Sequence, residues 1–102
     1  MKVDLKANEV VLKATDSTQI KDNEKINGKL ILTNQRIYFK SVDAKRQVFS
    51  LEILFNQIKE IIYFNNGVFT PKGIRVITCT GNELLFTMKK RDEWGKSINR
   101  MY

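Results

Sequence analysis

Gly28 to Ser41 reads GKLILTNQRIYFKS, with apolar and polar residues alternating on both sides of Asn34-Gln35. That pattern marks two β-strands joined by a tight turn. With Asn34 and Gln35 as a two-residue turn, Leu32 lies opposite Ile37, Ile31 opposite Tyr38, Leu30 opposite Phe39 and Lys29 opposite Lys40. Alternation then gathers Leu30, Leu32, Ile37 and Phe39 on one face, the candidate core. Lys29, Ile31, Thr33, Arg36, Tyr38 and Lys40 fall on the other, which predicts a basic and aromatic surface open to water or a ligand. A slip of one residue would bury the lysines and expose the leucines, so the register is well specified. Asn-Gln is a poorer turn than Asn-Gly, since only Asn34 readily tolerates positive φ, and a longer turn is the alternative.

Outward from this hairpin, Val10 to Ile20 predicts a first strand that begins apolar and becomes solvent-exposed, followed by a polar connection, KDNEKIN, over 21–27. After the hairpin, 42–47 reads as a loop, 48–53 as a strand, 54–57 as a short helical or irregular link and 58–64 as another strand. The Ile61-Ile62 pair breaks alternation and predicts a bulge or burial on both faces. Asn66-Gly67 and Pro71 signal a turn. Lys72 to Cys79 and Glu83 to Met88 predict two further strands. A Gly81-Asn82 turn groups Ile77 with Phe86 and Cys79 with Leu84, whereas a longer one groups Ile74 and Val76 with Leu85. From Arg91 to Tyr102, Trp94, Ile98 and Met101 share one stripe of a helix. Asp92 and Glu93 in its first turn suit the helix dipole.

The chain has 102 residues, 42% hydrophobic and 28% charged, which predicts one globular domain over 1–102. No apolar run is long enough to span a bilayer, and the charged N-terminus argues against export. Cys79 is the sole cysteine, so no internal disulfide forms, in keeping with a cytoplasmic location. The net charge of +7 favours anionic partners, yet no block of like charges marks a nucleic-acid arm. Catalysis is poorly supported: there is no histidine, Cys79 has no paired base, and Asp92 and Glu93, adjacent on a helix, point apart. The sequence therefore predicts a non-enzyme with no metal and no cofactor.

The hairpin GKLILTNQRIYFKS, together with LEILFNQIKEIIY (51–63), GIRVITCTGNELLFTM (73–88) and the terminal RDEW (91–94), resembles GRAM domains of the pleckstrin-homology-like superfold over residues 9 to 102. The resemblance implies a mainly β fold of about seven antiparallel strands in a partly open barrel, capped by a C-terminal helix bearing Trp94. It also implies a binding module, peripheral at an acidic membrane or attached to a protein or peptide partner. A homo-oligomeric assembly domain is the alternative, and nucleic-acid binding through the basic charge is less favoured. Phosphoinositide-binding relatives carry a Lys, spacer, Lys or Arg, one residue, Arg pattern across their first two strands. Here Lys25 and Lys29 are followed by Leu30 and Ile31, so that pattern is not completed.

Two clusters are candidate anion sites. One is the hairpin face, with Lys29 and Lys40 opposed and Lys45 and Arg46 in the next loop. The other is Lys89, Lys90 and Arg91 at the start of the helix, where free backbone N–H groups attract anions. Tyr38 and Phe69 are candidate interface aromatics.

Overall fold

The hairpin forms in the register that its alternation predicts: Leu32 pairs with Ile37, Ile31 with Tyr38, Leu30 with Phe39 and Lys29 with Lys40. Leu30, Leu32, Ile37 and Phe39 are all fully buried. The computed structural model describes residues 5–21, 24–42, 45, 50–65 and 72–102. Among them are β1 (Val11–Lys21), β2 (Glu24–Thr33), β3 (Arg36–Ser41), β4 (Leu51–Leu54), β5 (Ile58–Asn65), β6 (Lys72–Thr78), β7 (Glu83–Thr87) and α1 (Arg91–Asn99). The seven strands make one antiparallel sheet in the order β4-β3-β2-β1-β7-β6-β5, which does not close. No helix among the described residues is long and apolar enough to cross a membrane.

Phe39 and Phe86, from opposite halves of the sheet, meet with their rings tilted by 37° and their centroids 5.5 Å apart. Around them Ile26, Ile53, Ile58, Ile74, Val76, Met88, Trp94 and Ile98 complete the core with the hairpin residues. Trp94 and Ile98 are the buried stripe of α1, as their spacing predicts, while Met101 is half-buried. The helix approaches the sheet closely because Gly95 has no side chain: the ring of Tyr63 occupies the place of a Cβ. Gly28 does the same inside β2, where Phe39 Cζ would lie 2.6 Å from an added Cβ.

Several local expectations are corrected. Most of the predicted connection KDNEKIN belongs to β2, because Ile26 continues the inward alternation of Gly28, Leu30 and Leu32. In β1 the burial runs opposite to expectation. Val10, just before the strand, and Val11 and Leu12 within it are 57%, 44% and 51% exposed, whereas Ser17 and Gln19 point inward and are 6% and 1% exposed. The reason is pairing: the first half of β1 lies beyond β7, which meets only Thr18, Gln19 and Ile20. The β5 irregularity falls between Ile58 and Glu60 rather than at Ile61-Ile62. The loop after β6 is the longer one, yet it places Ile74 opposite Phe86 and Val76 opposite Leu84, a grouping neither sequence alternative contains.

Candidate functional site

The polar face of the hairpin is partly closed. Thr33 and Arg36 are buried because residues 6–10 lie over them. Arg36 donates from Nε to Glu9 Oε2 (2.9 Å) and from Nη2 to Glu9 Oε1 (3.2 Å), while its Nη1 reaches Glu52 Oε2 at 2.6 Å. Thr33 Oγ1 donates to Glu9 Oε2 at 2.6 Å. Burial pushes the Glu9 carboxyl up, but the hydrogen bonds from Arg36, Thr33 and the Lys6 backbone prevail and bring it down to about 2. The turn is built for this clasp. Asn34 and Gln35 do not take positive φ; instead Thr33 Oγ1 accepts from the N–H of Gln35 and of Arg36. The Asn34 amide bridges Val10 N–H and Asn8 C=O, and Gln35 Nε2 donates to Ala7 C=O.

What remains of the expected hairpin site is partly neutralised. Lys29 pairs with Asp16 at 2.6 Å, and that contact holds the Asp16 carboxyl below its usual range. It also relieves the repulsion between Lys29 and the opposed Lys40. Tyr38 is half-buried with the Arg36 guanidinium 5.0 Å from its ring centre. Lys45 is exposed. Arg46 and Phe69 lie outside the described residues.

The second cluster divides. Arg91 turns away from solvent: its side chain is 14% exposed, donates from Nη1 to Phe64 C=O at 2.8 Å, pairs with Asp92 and lies over the Tyr63 ring. It pins α1 to β5. Lys89 and Lys90 are exposed at the mouth of a pocket of about 930 Å³ between β1, the end of β7 and the start of α1. Lys72 joins them there, because Met88 N–H donates to Lys72 C=O at 3.1 Å and ties the end of β7 to the start of β6. Of the pocket's carboxylates, Asp16 is held by Lys29 and Asp92 by Arg91, which leaves Glu93 against three lysines.

Two further features make this end of the molecule receptive to an anion. Lys90 is the N-cap of α1, in left-handed conformation at φ 57°, and no side chain caps the helix. Its first turn therefore offers backbone donors that lack an internal side-chain acceptor. The Ser17 hydroxyl is buried beside the pocket without a hydrogen-bond partner. Lys72 and Ser17 are absent from the sequence-derived set. Ser17 was legible as a polar residue in a strand, but only the register against Gly28 turns it inward.

A seven-stranded antiparallel sheet, bent around one core and plugged by a C-terminal amphipathic helix, defines a pleckstrin-homology-like domain. The solved structures agree. The C-terminal domain of an unknown protein from Leishmania infantum superposes with a TM-score of 0.80 at 21% identity, covering 93% of this chain and 85% of that one. The Vps36 N-terminal PH domain gives 0.71 at 19% identity, covering 95% and 81%. The GRAM domain model matches residues 1–102, and the chain belongs to the GRAM domain family. No curated protein matches it. GRAM and pleckstrin-homology-like domains are generally membrane- or protein-binding modules.

Proposed function

We propose that this domain is a non-catalytic module that attaches to an acidic membrane surface, peripherally and from the cytoplasmic side, through the pocket at the start of α1. The observation that carries the reading is the meeting of Lys72, Lys89 and Lys90 at a helix start with no side-chain cap. Each lysine near an anionic leaflet contributes about 1 kcal/mol, so three supply weak attachment that needs no head-group specificity. The hairpin face is the poorer contact, since Lys29 is already paired and Arg36 is covered by Glu9.

Co-sedimentation with vesicles of phosphatidylcholine containing phosphatidylserine tests this. The domain should pellet with them at low salt, be released as ionic strength approaches the physiological range, and ignore pure phosphatidylcholine. Lys89→Glu with Lys90→Glu should abolish pelleting, while Lys40→Glu should weaken it only slightly. Failure of the unsubstituted domain to pellet even at low salt would remove the membrane reading in favour of a protein-binding or assembly role.

A further inference from the structure

Gln19 is the least expected residue in the core. It is 1% exposed, its cross-strand partners Ile26 and Phe86 are fully buried, and neither its Nε2 nor its Oε1 has a hydrogen-bond partner. A buried amide without partners destabilises a fold, and an aliphatic side chain of similar size would fill the same space at no such cost. Its place beside a groove points to a partner that arrives from outside. Gln19 borders a groove of about 700 Å³, at a different place from the lysine pocket, between β4 on one side and the turn from β6 to β7 on the other.

The shape and charge of that groove narrow the occupant. All four consecutive residues of β4, Leu51–Leu54, line it. Side chains of a strand alternate between faces, so a groove touched by every residue runs along the strand's edge, not over one face. β4 ends the sheet, and Leu54 N–H is already taken by Gln57 Oε1 at 2.9 Å, which leaves a short length of edge around Glu52. The walls are apolar and neutral-polar, with Leu51, Leu54, Leu84, Thr78 and Asn82 prominent. The charged lining is Lys21, Glu52 and Glu83, with Glu52 held by Arg36 and Glu83 3.9 Å from Arg75, so no cluster of cations invites phosphate or another anion.

We propose that this groove is a second binding site, which takes an extended peptide segment of a partner protein and receives one of its amide groups, main-chain or from Asn or Gln, against the Gln19 carboxamide, whose side chain rotates out of the core to meet it. An amide is the matching chemistry because it presents a donor and an acceptor side by side, as Gln19 does. Main-chain pairing along β4 is too short to carry affinity alone, so the buried amide pair supplies the selectivity.

The test uses the full chain and a displayed library of random decapeptides, followed by titration of the enriched synthetic peptides into isotopically labelled protein. The expected result is a set of peptides that shift the resonances of Gln19, β4 and the turn from β6 to β7. Gln19→Met should weaken them at least tenfold while raising the urea midpoint, since it removes an unpartnered amide and keeps the volume. No enrichment over the Gln19→Met protein, or peptides that move only the resonances of Lys72, Lys89 and Lys90, would overturn the proposal. A Gln19→Met protein that is less stable or unfolded would overturn it too, by showing that the amide serves the fold.

Discussion

Arg36 grips Glu9, 27 residues earlier in the chain, in a two-pronged ion pair whose carboxylate side chain is fully buried. This contact closes the residues before β1 over the polar face of the central hairpin. It turns a stretch that reads as ligand-facing into part of the domain's own packing.

The first prediction is a pH dependence of stability. The Glu9 carboxyl lies at about 2 in the folded chain against an ordinary 4.5, and Arg36 also holds Glu52 below its usual range against the opposing effect of burial. A carboxyl depressed by folding stabilises the native state fully above its unfolded pKa, and that stabilisation fades as pH falls toward the folded value. The urea midpoint should therefore fall as pH drops from about 4.5 toward 2. Glu9→Gln should flatten this slope and cost roughly 3 kcal/mol at neutral pH, because the buried Arg36 guanidinium would lose the charge of its two-pronged partner.

Trp94→Ala should destabilise the domain by about 3 to 5 kcal/mol, since it empties a large site under the helix where collapse is limited by the sheet. The urea midpoint measures this. An unchanged midpoint would show that α1 does not plug the core.

Gly28→Ala should cost about 1 to 3 kcal/mol, because its Cβ would meet the Phe39 ring and the Lys40 carbonyl and neither can withdraw from the sheet. Gly28→Ala combined with Phe39→Leu should recover part of that loss, and additive losses in thermal melts would contradict the packing described.

Lys90→Gly separates stability from binding. Lys90 holds a left-handed conformation that glycine adopts without penalty, so the substitution should stabilise by about 1 kcal/mol. It should also weaken pelleting with acidic vesicles by removing one of the three pocket lysines. A variant that gains stability and keeps full attachment would take Lys90 out of the membrane contact.

Features that rest on local period were legible in the residues alone. Alternation with a two-residue turn set the pairing of Leu30 with Phe39 and Lys29 with Lys40, and a helical period set the Trp94 and Ile98 stripe. The succession of strands before a single helix also carried the family. Which polar residues are available depends on long-range packing. Arg36 is covered by a carboxylate far away in sequence, Arg91 is drawn back to Phe64 and Tyr63, and Lys72 comes to Lys89 and Lys90 through the register of β6 against β7. Gln19 is buried because it sits between Ile26 of β2 and Phe86 of β7, and Ser17 turns inward through its register against Gly28. A repeating pattern fixes which side chains share a face of one element. The length of a connection and the bend of a sheet fix which faces meet, and those are properties of the whole chain.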